Sequence, residues 1–274
     1  MIALFKNGWQ GRIIALLAGA LLPLSFAPFY YYPLAIISLT LLFLSWQDVT
    51  PRQAAVRGFW FGLGMFGVGI SWIYVAIHDF GNASVFLATL LIAGFVAFLA
   101  LLPALLGFVL KKITGDNLHT WDFIVLLPVG WVFFEWIVTW FLTGFPWLHV
   151  GVSQIEGSLA GFTPILGVIG VSLLITVTAG TFAVIAQFRN WWWCLPVIIL
   201  WGSGAVLKQK QWTEPLGEPI TVTVIQGNIP QAIKWDKEQV LRTLDLYKTL
   251  TEENWDSDLI IWPENAVTAF YHQL

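Results

Sequence analysis

SVFLATLLIAGFVAFLALLPALLGFVL, Ser84 to Leu110, contains no charged residue. Crossing about 30 Å of hydrocarbon takes roughly 20 apolar residues at 1.5 Å each, so this run is long enough to span a bilayer. Ala54 to Ile77, Trp121 to Thr143, Phe162 to Phe188 and Trp191 to Leu207 are of the same kind. Two shorter runs precede them, Arg12 to Ala27 and Pro33 to Trp46, joined by APFYYYP. Composition points the same way. Hydrophobic residues make up 58% of the chain and charged residues 11%, whereas soluble domains carry about 25% charged residues, and the mean hydropathy is +0.76. The expected fold is an integral membrane α-helical bundle of about seven transmembrane helices.

Lysine and arginine, retained on the cytoplasmic side of membranes, test that count. Before Lys208 they occur only at Lys6 and Arg12, at Arg52 and Arg57, at Lys111 and Lys112, and at Arg189, which lie in alternate connections. The intervening connections APFYYYP, HDFGNA and GFPWLHVGVSQIEGSLAG have none. The pattern predicts a cytoplasmic N-terminus, an odd number of crossings, most simply seven, and everything after Leu207 outside. Ile13 to Phe26 behind a basic start has the shape of a signal peptide, but the further apolar segments favour a first transmembrane helix. Phe29, Tyr30, Tyr31 and Tyr32 suit an interfacial belt between the first two crossings. Gly58, Gly62, Gly64, Gly67 and Gly69 have the spacing of close helix contacts in lipid.

Several function classes drop out. A net charge of −3 with no basic stripe argues against nucleic acid as a partner. The single cysteine, Cys194, excludes an internal disulfide framework. His78, Asp79, His149 and Glu156 share the outer side without paired ligand spacing, so neither a metal nor a cofactor is expected. Intramembrane charges at Glu135 and Asp122 are too few for a transport relay.

At Lys208 charged residues become frequent, and Pro215, Gly217 and Pro219 mark a linker. The expected division is a transmembrane domain over 1–207, a linker over 208–219 and a soluble segment over 220–274. In that segment ITVTVIQ, Ile220 to Gln226, reads as a strand. Lys237 to Glu253 has helical periodicity. Leu259 to Trp262 reads as a short strand buried on both faces. Strand, helix, strand is the opening of an α/β sheet. LIIWPENAV then delivers Glu264 just past a strand end, where such folds place catalytic groups. Flanked by Trp262 and Pro263, it is suited to general-base work, with a helix cap or salt bridge as the plain alternative. If the strands are parallel, Gln226, Gly227 and Asn228 share that edge, with Trp235 an apolar platform within reach. A turn glycine, a loop amide and a packing tryptophan are their structural alternatives.

VTVIQGNIPQAIKWD followed by LIIWPENAV resembles the start of the nitrilase-like (carbon-nitrogen hydrolase) domain of bacterial apolipoprotein N-acyltransferases. SFAPFYYYPLAIISL, GISWIYVAIHDFG and FEWIVTWFLTGFPWLHVGVSQ resemble that family's membrane part in the same order. The resemblance covers essentially the whole chain and implies a bundle followed by the truncated start of an α-β-β-α sandwich. It further implies an enzyme of lipoprotein maturation at the bacterial inner membrane, with the nitrilase-like part periplasmic. In the family a cysteine takes an acyl chain from a phospholipid such as phosphatidylethanolamine as a thioester. The α-amino group of a diacylglyceryl-cysteine lipoprotein then collects it. Glu264 matches the family's general base, and Gln226, Asn228, Trp235, Trp147 and Glu135 are candidate substrate-binding or pocket-lining residues.

The family's oxyanion lysine and nucleophilic cysteine follow the glutamate strand and are absent from this chain, and Cys194 lies at the inner end of a span. The isolated chain is therefore expected to be inactive, with a separate C-terminal nitrilase fragment as a further partner. The alternatives are one half of a split enzyme or a non-catalytic, lipid-binding membrane remnant. Val138 also stands where the family often has arginine, leaving Glu135 without one plausible neighbour.

Overall fold

The computed structural model describes residues 8–268; Lys6 of the basic start and residues 269–274 lie outside the described residues. The chain divides into two compact units, one ending at Trp212 and one beginning at Thr213.

The first unit is helical: α1 (Gly8–Leu21), α2 (Pro33–Ser45), α3 (Pro51–Gly69), α4 (Val85–Thr114), α5 (Leu127–Val138), α6 (Thr163–Phe188) and α7 (Cys194–Lys208). Local chemistry sets several of the ends. Thr50 opens α3 with a capping box: the Gln53 N–H donates to the Thr50 hydroxyl and the Thr50 N–H to the Gln53 side chain. Pro51 takes the first helical position, where its missing N–H costs nothing. Ser84 caps α4 by accepting from the Leu87 N–H.

Among the described residues three helical segments are long and apolar enough to cross a membrane: α4, Ser158–Phe188 and Trp191–Lys208. Pro51–Gly69 and Ile73–Phe80 make a fourth if taken as one broken span, bent by 61°. The unbroken crossing expected over Ala54 to Ile77 is thus a helix and a kinked continuation. Other runs are shorter as regular α-helix because they pass into tighter or wider turns, 3₁₀ at Leu22–Ser25 and π at Asp122–Leu126. On α4, Phe86, Leu90, Leu101 and Leu105 are all exposed; an apolar face of that extent suits lipid rather than water.

Helices α1, α3 and α4 pack through glycine. A Cβ built on Gly64 would fall on the Leu16 carbonyl of α1, and one on Gly58 on the Pro103 carbonyl of α4. The core beside them holds Phe43, Trp46, Phe61, Phe66 and Trp131, with Phe61 and Trp131 edge to face at 5.8 Å. Two buried cations close helix ends: the Arg57 guanidinium donates to the Ser45 carbonyl, and Lys111 Nζ donates to the Asp116 carbonyl at 2.8 Å.

The second unit contains β1 (Val222–Val224), α8 (Lys237–Glu252) and β2 (Leu259–Ile261). The strands pair in parallel, Val222 opposite Leu259 and Val224 opposite Ile261. Ile225, Tyr247 of α8 and Ala266 form a small core, with Ile260 and Leu250 against it. The burial of β2 on both faces expected from its sequence is not found: Leu259 is 46% and Ile261 42% exposed. Side chains alternate along a strand, so Ile260 meets the helix side while its neighbours face the other way, uncovered within this unit.

Candidate functional site

In the second unit, parallel pairing puts the chain after β1 and the chain after β2 at one edge of the sheet. Asn228 and Asn265 both adopt left-handed backbone there, φ 50° and 55°, a conformation asparagine tolerates better than most residues. The Gln226 side-chain amide donates to Asn228 Oδ1 at 2.7 Å. A Cβ on Gly227 would meet the Tyr247 hydroxyl, so only glycine lets the loop pass this close to α8. Glu264 is exposed, and Lys234 Nζ donates to its backbone carbonyl at 3.4 Å. Trp235, one residue on from Lys234, is 59% exposed. The shielding expected of Trp262 is limited: that ring leans on Tyr247 at 5.3 Å, and its N–H donates to Thr251 Oγ1 at 2.9 Å. Gln226, Asn228, Lys234 and Glu264 therefore sit around one open strand edge.

The first unit holds a different assembly. Glu135, on the last turn of α5, is 2% exposed. Its Oε1 accepts from the Trp131 indole N–H at 2.9 Å and from the Val150 backbone N–H at 2.8 Å. The next amide, Gly151, donates to the Ser172 hydroxyl of α6 at 2.9 Å. Two successive loop amides are thus tied to two helices. The tethered loop is strained, with Leu142, Thr143 and Leu148 at φ 49°, 76° and 62°; such residues persist only where surrounding structure over-determines them. Val138, where the family resemblance would place arginine, is 4% exposed in the apolar core. The donors that reach Glu135 Oε1 are Trp131 and Val150. The i, i+4 spacing of Trp131 and Glu135 is the signal that could have found the first; the Val150 amide, 15 residues on, leaves none.

Trp147 projects from the same loop, its ring 5.3 Å from Trp72 at the end of the α3 bend. Together with Phe26, Phe29, Val68 and Val152 these tryptophans wall a mostly apolar cavity of about 440 Å³, within the size range of small-molecule sites. His149 borders the cavity, is 8% exposed, and leaves Nε2 without a hydrogen-bond partner. Burial pushes its pKa below the ordinary histidine value, so it is a neutral ring at pH 7. Glu135 does not line this cavity; it holds the loop that does. Cys194 is half-buried at the start of α7.

The family described as apolipoprotein N-acyltransferase N-terminal domain matches residues 18–181. A relative from Methylococcus capsulatus, named apolipoprotein N-acyltransferase, is 44% identical over 269 residues, covering 97% of this chain and 53% of that protein. One of the same name from Pseudomonas paraeruginosa is 46% identical over 270 residues, 96% of this chain and 52% of that protein. A third from Coxiella burnetii is 40% identical over 269 residues, covering 97% and 56%. The chain spans about half the length of the curated relatives it matches. With a match of that extent and identity, the chain belongs to the apolipoprotein N-acyltransferase family, whose N-terminal part it represents.

Proposed function

We propose that this chain supplies the membrane part and the first strand–helix–strand of an apolipoprotein N-acyltransferase acting in bacterial lipoprotein maturation. Seven crossings place its N-terminus in the cytoplasm and residues 220–274, the start of a nitrilase-like domain, on the periplasmic face of the inner membrane. In the reaction a cysteine thiolate attacks the ester carbonyl of a phosphatidylethanolamine-like donor, forming a thioester and releasing the lysophospholipid. The free α-amine of a diacylglyceryl-cysteine lipoprotein then attacks the thioester, forming an amide and returning the thiol. Glu264 accepts the proton from the thiol and passes it to the departing lysophospholipid oxygen, then accepts one from the α-ammonium so that the free amine can attack, and returns it to the departing thiolate, since neither protonated group is a nucleophile. The oxyanion lysine and the cysteine belong to the rest of the nitrilase-like domain. Gln226, Asn228 and Trp235 line the approach to Glu264, and Trp147 contacts lipid.

The observation that carries this reading is the parallel pairing of β1 with β2, which brings Gln226, Asn228 and Glu264 to one strand edge. The test is acyl transfer to a diacylglyceryl peptide by a protein that joins this chain to the remainder of a nitrilase-like domain. Glu264→Gln should lower turnover by about 10²- to 10⁴-fold, the usual contribution of a general base. Turnover within about threefold of wild type would remove Glu264 from the mechanism. The apolar cavity beside Trp147 also suits the alternative, a lipid-binding remnant without catalysis. That alternative gains if no acyl-enzyme forms in the joined protein.

A further inference from the structure

Helices α1 and α3 pack side by side, and between them is a cavity of about 150 Å³ lined by Gly8, Arg12, Arg52, Gln53, Val56 and Arg57. Three arginines line it, and among the described residues no acidic side chain does. Arg57 forms the fixed floor: it is 4% exposed, donates to the Ser45 carbonyl and lies over Gly11, where a Cβ would collide with its guanidinium. Arg12 and Arg52 are exposed above it, and among the described residues neither has a carboxylate within ion-pair distance. The first turn of α3 has no acidic residue.

This arrangement is electrostatically unfavourable as it stands. A helix N-terminus carries a partial positive charge that favours anions and disfavours cations, and here the N-terminus of α3 shares its space with three cations. Retention of basic residues on the cytoplasmic side accounts for their sign, but not for their convergence from two helices onto one cavity. A tetrahedral oxyanion accounts for both, because helix N-termini and arginine forks are the standard donors to phosphate. The cavity admits a phosphate group but not a whole glycerophospholipid. Ile13 and Leu17 of α1 and Val56 of α3 are exposed apolar residues deeper along the same helices, placed where the chains of a lipid would run.

We propose that this cavity binds the phosphate of an anionic phospholipid headgroup in the cytoplasmic leaflet. The leaflet rests on the orientation proposed above; binding measured in detergent is independent of orientation, so the two readings fail separately. The experiment uses native mass spectrometry and thermal unfolding of the full chain in neutral detergent. Phosphatidylglycerol, phosphatidylcholine and inorganic phosphate are added in turn to wild type, to Arg12→Gln/Arg52→Gln and to Arg189→Gln. Arg57 is left intact because it closes α2, and exposed Arg12 and Arg52 can be neutralised without opening the core. Wild type should bind phosphatidylglycerol at least about tenfold more tightly than phosphatidylcholine. The double variant should lose about tenfold or more, since each basic residue at such a surface is worth roughly a factor of five, and Arg189→Gln should bind as wild type does. Equal binding of the two lipids, or undiminished binding by the double variant, overturns the site. Equal protection by millimolar inorganic phosphate overturns the lipid assignment in favour of a soluble phosphate ligand.

Discussion

Replacing Glu135 by leucine tests whether the buried carboxyl is a latch. The substitution keeps most of the side-chain volume and removes the acceptor, so the Trp131 indole N–H and the Val150 amide N–H both lose their partner. A buried donor left unpaired costs about 1–3 kcal/mol, giving about 6 kcal/mol at most for two. Polar groups in a membrane-embedded reference state also find partners, and interhelical hydrogen bonds there average about 0.6 kcal/mol, which sets a floor near 1 kcal/mol. Glutamine is the informative control. It retains Oε1 as acceptor for both donors, and its new amide NH₂ can donate to the neighbouring Ser172 hydroxyl, whose oxygen has a second lone pair beside the one that accepts from Gly151; its cost should stay under about 1 kcal/mol. The assay is thermal unfolding in detergent together with limited proteolysis between Leu142 and Gln154. Glu135→Leu should lower the midpoint and expose the loop to cleavage, because the left-handed residues Leu142, Thr143 and Leu148 relax once Val150 is released. Glu135→Gln should do neither. Equal damage from the two substitutions would refute the latch, since then the loss would track something other than the two donors.

Two further outcomes follow from the same bundle. Gly64→Leu would drive a side chain into the Leu16 carbonyl of α1 and should cost about 1–3 kcal/mol or more, read as a lower unfolding midpoint, whereas Gly94→Leu, with open space around its Cβ position, should be tolerated. His149 gives a pH signature. Burial lowers its pKa from 6.5, so the unfolded chain takes up the proton first as pH falls, and stability is lost progressively below about pH 6.5. His149→Gln should flatten the fall in unfolding midpoint between about pH 7 and 5 relative to wild type; identical slopes would count against the neutral buried ring.

Much of this was readable from residue order because apolar run length and breaker placement are local properties. The uncharged run at Ser84 to Leu110 lies in one long helix, and the β-branched and apolar stretches around Val222 and Ile260 are strands in the expected order. The break after Gly69 was not readable, since hydropathy stays high through GISWIYVAI while the backbone turns by 61°. Nor was the latch. A sequence shows where a carboxyl is but not which main-chain donors come to it, and the resemblance points to arginine where an amide does the work. At the strand edge the residue types were legible, whereas exposure was not. Leu259 and Ile261 look buried in isolation because their alternation is all apolar, and only the number of layers covering a sheet decides which face stays open.

The helix lengths have an elastic consequence. At 1.5 Å per residue α2, with 13 residues, reaches about 20 Å, and α4, with 30, about 45 Å. A hydrocarbon layer of about 30 Å cannot meet both at one thickness. With α2 crossing, the bilayer thins around it while α4 leans, each ångström of mismatch costing a fraction of a kcal/mol. The cavity walled by Phe26 and Phe29 opens in the connection leading into α2, on the compressed rim. If α2 crosses as proposed, lipids at that rim sit displaced from their resting depth before any side chain touches them, an effect of the helix length profile alone.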